Sequence, residues 1–173
     1  MSMVPIISIV GYSDAGKTTL IEKIVPVLKG RGYRVGTVKH ADHESGLDTE
    51  GKDSWRHYAA GADTVVVASN AKIVMIRRKE KTPGDSGEEL AQIAPYFSDM
   101  DLVLTEGYKQ APYPKIEIFR PSGDAEPACA HDPRLIALVS DVGLSIRVPR
   151  FGLDDIEKLV DFIAEKILAL PAQ

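Results

Sequence analysis

The chain has one cysteine, Cys129, in 173 residues. An intrachain disulfide is impossible, and the sparse thiol content fits a reducing cytoplasm. His40 and His43 stand close together, but no closing Cys or His pair follows them, so a zinc site with three or four ligands is not supported. No apolar run approaches the ~20 residues that span a bilayer. The N-terminus lacks a basic segment followed by a long apolar one, so no secretory signal is expected. Positive charge is not in excess either. The net charge is −4 and the pI about 5.6, which argues against duplex nucleic acid as a partner. Internal repeats and low-complexity tracts are absent.

What remains is an ordinary globular composition, 44% hydrophobic and 27% charged. The length suggests one domain over residues 1–173, and a domain of that size buries roughly 70% of its unfolded surface. The segment Val4 to Leu20 organises it. An apolar run (Ile6, Ile7, Ile9, Val10) leads into Gly11-Tyr12-Ser13-Asp14-Ala15-Gly16-Lys17-Thr18, and a helical pattern follows. The octet fits G-x-x-x-x-G-K-[ST], a phosphate-binding P-loop, in the strand-then-helix context that the motif requires. The glycines let the main chain turn and approach a phosphate closely. The candidate nucleotide-binding positions in and beside the loop are Gly11, Ser13, Asp14, Ala15, Gly16, Lys17, Thr18 and Thr19. The helix dipole aims its positive end at the same anion. Lys17 is expected to reach the β- and γ-phosphates, and the Thr18 hydroxyl to ligate Mg²⁺.

The first helix is expected from Lys17 to Gly30, with Leu20, Ile21, Ile24, Val27 and Leu28 on one face and a disturbance at Pro26. A short strand, Tyr33 to Val38, ends at Lys39 and His40. These are candidate ligand contacts, because ligands of open parallel sheets sit beyond the strands' carboxyl ends. For His40, a hydrogen-bonded loop histidine is an equal reading. The polar loop Glu44 to Glu50 and the short helix after Gly51-Lys52-Asp53-Ser54 occupy the place of a nucleotide-sensing switch. Asp48 and Asp53 are candidates for orienting water or Mg²⁺; helix capping is the alternative for Asp53 and the favoured reading for Ser54. Asp63 to Ala68 and Lys72 to Arg77 read as a hairpin turning at Ser69-Asn70. The basic cluster Arg77, Arg78, Lys79 and Lys81 is either a solvated surface or a phosphate lid.

Ser86 and Glu89 have the spacing of a capping box. The strand Asp101 to Glu106 carries an acid at each end, about 16 Å apart, so only one can serve the phosphates. Glu106, at the carboxyl end, is the Mg²⁺-side acid and Asp101 is structural. Lys115 to Phe119 and Leu135 to Val139 are further strands, the second ending in Ser140-Asp141. Asp141 is either an acceptor for the guanine N1 and N2 amines or a turn residue. Cys129 and His131 read as bystanders. Ile146 to Val148 is a last short strand, and Asp154 with Glu157 is expected to cap a final helix whose apolar face is Ile156, Leu159, Val160, Ile163 and Ile167. Together these make an α/β, three-layer P-loop NTPase fold with a mainly parallel sheet and an antiparallel hairpin excursion.

The combination resembles the MobB family of molybdopterin-guanine dinucleotide biosynthesis adaptor proteins. The likeness rests on the Gly11–Thr19 loop, Val38-Lys39-His40, Gly51-Lys52-Asp53-Ser54 and Ala60-Gly61-Ala62. It continues through Leu104-Thr105-Glu106-Gly107-Tyr108-Lys109, Pro114-Lys115-Ile116-Glu117-Ile118 with Arg120, and Ser140-Asp141. It spans nearly the whole chain. It implies a cytoplasmic, usually homodimeric protein that binds GTP with Mg²⁺ and hydrolyses it weakly. It also implies that the protein assists a MobA-type guanylyltransferase, which joins GMP to molybdopterin. The Arg77–Lys81 segment would then suit a pterin phosphate or a partner surface. No arginine finger is visible, which fits slow hydrolysis. A P-loop small-molecule kinase is the alternative, with Arg77 and Arg78 as its lid. A metal-delivery GTPase is disfavoured by the scarcity of Cys and His.

Overall fold

The computed structural model describes residues 4–41, 48–79, 87–121 and 125–168. The chain divides into two compact units, Met1–His40 with Pro83–Gln173, and Ala41–Thr82. In the first unit β1 (Ile6–Val10) leads through the glycine loop into α1 (Lys17–Gly30), then β2 (Val35–Lys39). After the second unit come α3 (Glu88–Ile93) with a 3₁₀ turn (Ala94–Phe97), β5 (Leu102–Glu106), β6 (Lys115–Ile118) and β7 (Leu135–Val139). A two-residue β8 (Arg150–Phe151) and α4 (Ile156–Ile163), which runs on as a π turn (Ala164–Leu168), complete it. The second unit holds α2 (Asp53–Ala59), β3 (Thr64–Ala68) and β4 (Ile73–Arg77).

The main sheet runs β2-β5-β1-β6-β7-β8, and its paired strands are parallel. β1 lies inside it and is buried along its whole length, as expected for a parallel strand covered on both faces. Side chains alternate between the faces. One face carries Ile7, Ile9, Leu102, Leu104, Ile116, Ile118, Ala137 and Val139, packed with Leu20, Ile24 and Leu28 of α1 and Leu159, Val160 and Ile163 of α4. The expected apolar faces of both helices thus meet one side of the sheet. α1 runs through Pro26 to Gly30, and Gly32, at φ 91°, turns the chain out of it.

The opposite face has fully buried Ser8, Thr105, Lys115 and Glu117; α3 and the 3₁₀ turn pack on it at Gly36 and Val38 of β2, and loops cover the rest. Thr105 Oγ1 donates to Ser8 Oγ at 3.0 Å. Lys115 Nζ donates to the Ala111 carbonyl at 2.7 Å and lies 3.0 Å from Asp132 Oδ2. Glu117 accepts the Ala128 and Cys129 amides at 2.6 and 2.9 Å. Two small apolar clusters flank this row: Val10, Cys129 and Leu135, and Leu90, Tyr108 and Ala111.

Several local expectations are corrected. The Ile146–Val148 segment does not join the sheet. Leu138 and Ser140 amides bond instead to the Pro149 and Phe151 carbonyls, so the ladder forms at β8. Ile146 and Val148 pack on the Val10, Cys129 and Leu135 cluster. Asp154 does not cap α4. Asp155 stands at the N-cap without a side-chain cap bond, and Asp154 pairs with Lys23 at 2.8 Å. Ser86 lies outside the described residues, and α3 starts after Gly87 at φ 84°. Glu89 turns to His40. Asp101 is structural as expected: its Oδ2 accepts the Arg34 amide at 2.7 Å.

In the second unit β3 and β4 pair antiparallel from Thr64↔Arg77 to Ala68↔Ile73 as a separate two-stranded sheet. Ser69 closes the turn, its amide donating to the Lys72 carbonyl at 2.8 Å. Arg78, expected in a basic patch, donates to the Tyr58 and Ala62 carbonyls and lies 4.1 Å from the Tyr58 ring centroid. It ties α2 to the hairpin. Lys81 lies outside the described residues. The hairpin leaves Val66, Ile73, Val74 and Met75 exposed, Ile73 by 75%.

Candidate functional site

The register of the sheet brings three strand tips to one rim. Ile9 of β1 and Lys39 of β2 both stand opposite Glu106 of β5. The loop after β1 opens there, with Ser13, Asp14, Thr18 and Thr19 exposed and Ala15 buried beneath. Its shape needs its glycines. Gly11 has φ 144°, and an added Cβ would lie 2.3 Å from the Ile118 carbonyl oxygen. Gly16 has φ 104° and Asp14 φ 59°, a left-handed conformation that Asp tolerates.

Lys17 folds back over the loop, donating to the Gly11 and Tyr12 carbonyls at 3.2 and 2.7 Å. Thr18 Oγ1 lies 2.9 and 3.0 Å from the two Glu106 oxygens. Lys39 Nζ stands 3.5 Å from the same carboxylate, which is 15% exposed. Hydroxyl and carboxylate oxygens are the hard donors that Mg²⁺ takes, and this ion relies on phosphate and water for its other positions. Among the described residues no cluster of three or more His, Cys, Asp or Glu could hold a metal by itself. The pair Thr18 and Glu106 therefore fits Mg²⁺ brought with a phosphate ligand.

His40 sits on the same rim. Its amide donates to the Glu106 carbonyl at 3.1 Å. Its Nδ1 lies 3.1 Å from Glu89 Oε1, and its ring meets Tyr108 edge-on at 5.1 Å. Asp141 is exposed beyond β7, and its Oδ1 accepts the Leu153 amide at 3.0 Å. Asp48 and Asp53 belong to the second unit. Asp48 Oδ1 accepts the Thr49 amide at 2.8 Å and the Ser54 hydroxyl at 3.1 Å, while its buried Oδ2 has no partner among the described residues. Asp53 is exposed in the first turn of α2, 4.0 Å from Arg56. Ser54 serves Asp48 and is not the N-cap, which is Lys52.

Two residues near the rim, Glu89 and Arg120, were given no site role by the sequence. Glu89 was hidden by its capping-box spacing. Arg120 carried only its place at a strand tip as a signal, the same signal that pointed to Lys39 and Glu106. Behind the rim, burial pushes the Glu117 carboxyl up despite the Cys129 and Ala128 amides and Lys109 nearby. Burial, reinforced by Glu117, raises the Cys129 thiol to about 11, so it stays protonated at neutral pH. Asp132 resists the effect of burial: the Arg134 amide and the Lys115 ammonium hold it below the usual carboxyl range. A cleft of about 660 Å³ lies beside this region, lined by Pro127, His131, Leu135, Ile146 and Arg147 among others. None of the candidate phosphate-loop residues lines it.

The family model described as molybdopterin guanine dinucleotide synthesis protein B matches residues 6–141. The chain belongs to the MobB family. The molybdopterin-guanine dinucleotide biosynthesis adapter protein of Escherichia coli (strain K12) is 35% identical over 167 residues, covering 95% of this chain and 94% of that protein. A crystal structure of molybdopterin-guanine biosynthesis protein B superposes with a TM-score of 0.71 at 36% identity, covering 92% of this chain and 97% of its own. The crystal structure of Bacillus subtilis MobB gives 0.71 at 30% identity, covering 93% and 96%. The parallel sheet with its helices and the small antiparallel pair is the P-loop NTPase fold of these MobB structures. No helix among the described residues is long and apolar enough to cross a membrane.

Proposed function

We propose that this chain is a cytoplasmic, GTP-binding adaptor that assists attachment of GMP to molybdopterin by a MobA-type guanylyltransferase. The observation that carries the reading is the meeting of Thr18 and Glu106, 2.9 Å apart, beside an exposed glycine loop. Backbone amides of that loop would cradle the phosphates, and Lys17 would leave its own carbonyl partners for the β- and γ-phosphates. Mg²⁺ would be held by Thr18 and Glu106, where it neutralises phosphate charge. Lys39 adds a positive group beside Glu106. Asp141 reads guanine, its second carboxylate oxygen remaining for the N1 and N2 amines.

Hydrolysis would be slow. A water oxygen attacks the γ-phosphorus, the bond to the bridging oxygen breaks, and GDP and phosphate leave. Lys17 stabilises the departing charge. Asp48 and Asp53 remain the candidates for orienting that water, and His40, held by Glu89, belongs to the ligand rim. The exposed apolar hairpin of the second unit supports a homodimer, since such a surface commonly marks an interface. The 30–36% relatives named above support the adaptor role.

Calorimetric titration tests the reading. GTP with Mg²⁺ is expected to bind wild type, and Lys17→Ala to abolish triphosphate binding. Asp141→Ala is expected to erase preference for GTP over ATP. Full GTP binding by Lys17→Ala would end the proposal. Stoichiometric phosphoryl transfer from labelled nucleotide to a metabolite would favour the kinase reading instead.

A further inference from the structure

We propose that the cleft of about 660 Å³ beside β7 docks a short extended segment of a partner protein, one in which apolar residues alternate with acidic ones. The segment adds as a strand along residues 143–146. The proposal rests on the adaptor reading above, which requires a partner, and not on the nucleotide site.

The cleft lies between two crossovers, one from β6 to β7 and the other from β7 to β8. Its walls differ in what their backbones have left to offer. On the first wall Glu117 takes the Ala128 and Cys129 amides. The Ala130, Asp132 and Leu135 amides donate to the Pro127, Cys129 and Asp132 carbonyls. On the second wall, no backbone group from Gly143 to Val148 is hydrogen-bonded to any described residue. The ladder with β7 starts only at Pro149, whose carbonyl accepts the Leu138 amide. A row of unpaired N–H and C=O groups is the template onto which an extended chain adds.

The same wall has the side-chain order of a strand. Val142, Leu144, Ile146 and Val148 recur at every second place, with Gly143, Ser145 and Arg147 between them. Leu144, Ile146 and Val148 are half-buried, while Ser145 and Arg147 are exposed. Ile146 and Val148 pack on the Val10, Cys129 and Leu135 cluster, which fixes the apolar side inward. The chain runs without a bend from Gly143 to Ile146, then bends at Arg147 and Val148 towards β8. Four residues at ~3.3 Å each give an edge about 13 Å long. A strand pattern is therefore present, and no described residue supplies its neighbour.

Charge selects the occupant. Asp132, on the first wall, is already paired with Lys115 at 3.0 Å and Arg134 at 3.8 Å. Arg147 ends the open edge with no salt bridge or side-chain hydrogen bond among the described residues. Glu126 stands on the opposite wall, so an acidic residue is drawn to the Arg147 side. Opposite charges on facing strand positions favour pairing, and apolar residues between the acids fall towards Leu135 and Leu144. Tyr12 of the glycine loop donates to the Glu126 carbonyl at 3.0 Å, so the docked segment would lie against a wall fastened to that loop.

The test starts from a library of displayed random heptapeptides, selected on the full chain. Selected sequences are expected to alternate apolar residues with Asp or Glu. One such peptide, made synthetically, is then titrated. Arg147→Glu is expected to weaken it at least tenfold, and replacing the peptide's acid by Lys to return most of that loss. The thermal midpoint should stay that of wild type, because Arg147 is exposed. N-methylation of every second peptide amide should abolish binding in one phase and spare it in the other, since successive amides of a strand face opposite edges. Failure to select any peptide would overturn the proposal, and so would peptides that bind Arg147→Glu as tightly as wild type. Methylation without a preferred phase would overturn strand addition. A homodimer that Arg147→Glu dissociates would make a second copy the occupant and overturn the partner assignment. Peptide binding by a chain that fails to bind GTP would support this site and count against the nucleotide reading alone.

Discussion

The two faces of the main sheet solve the burial problem in opposite ways. One is closed by α1 and α4 through an apolar layer, mostly aliphatic with Tyr33, Phe151 and Phe162 packed against it. The other is covered by α3 and its 3₁₀ turn over β2 and by loops over β1 and β6, and a loop brings backbone polar groups that must be paired. Lys115 and Glu117 supply that pairing from adjacent outward positions of β6, one serving carbonyls and Asp132, the other serving amides. The lesson is that buried charge here is an anchor for irregular chain. The helix face sets stability, and the loop face sets where the rim segments Tyr108–Pro114 and 125–134 lie.

That contrast can be broken by substitution. Ile24→Ala on the helix face should cost about 4 kcal/mol by cavity formation, read by denaturant unfolding, with little dependence on pH. Lys115→Met should cost about 3 kcal/mol near neutral pH, since it strands the Asp132 carboxylate and two carbonyls. Its cost should shrink on acidification. Asp132 is held below the ordinary carboxyl range, so its stabilising effect is present above the unfolded value and lost as pH falls through the folded one.

Glu117→Gln should be the smallest, about 1 kcal/mol, because the amide side chain can accept only one of the two backbone bonds well. Its pH dependence has the reverse sign. The Glu117 carboxyl is pushed up in the folded state, so the native protein takes up its proton first as pH falls and gains stability over that window. Removing the group should therefore cost more near pH 4 than near pH 8. Identical pH profiles for Lys115→Met and Glu117→Gln would show that the two charges are not the separate anchors described here.

The helix-covered face was legible in the sequence, and the loop-covered one was not. Leu20, Ile24 and Leu28 repeat at helical spacing, as do Leu159, Val160 and Ile163, and such periodicity needs no knowledge of partners. The glycine loop was legible because its residues are contiguous, and the place of Glu106 on the rim beside Thr18 because it ends a strand next to β1. Asp154 and Glu89 misled for a common reason. Capping spacing is a local pattern, and each acid found a distant cation or imidazole instead, Lys23 and His40. Ile146 to Val148 alternate like a strand, but whether a strand pairs is decided by its neighbour, and Pro149 already occupies the Leu138 amide. Lys115 and Asp132 lie far apart along the chain, so no spacing rule joins them.

The most direct measurement of the account is the Mg²⁺ dependence of GTP affinity in wild type and Glu106→Gln. With Glu106 beside Thr18, Mg²⁺ should strengthen GTP binding in wild type by tenfold or more. In Glu106→Gln that gain should largely vanish, while metal-free GTP binds at least as well, because a negative charge facing the phosphates is gone. An unchanged Mg²⁺ response in Glu106→Gln would contradict the assignment of this rim as the metal-assisted triphosphate site.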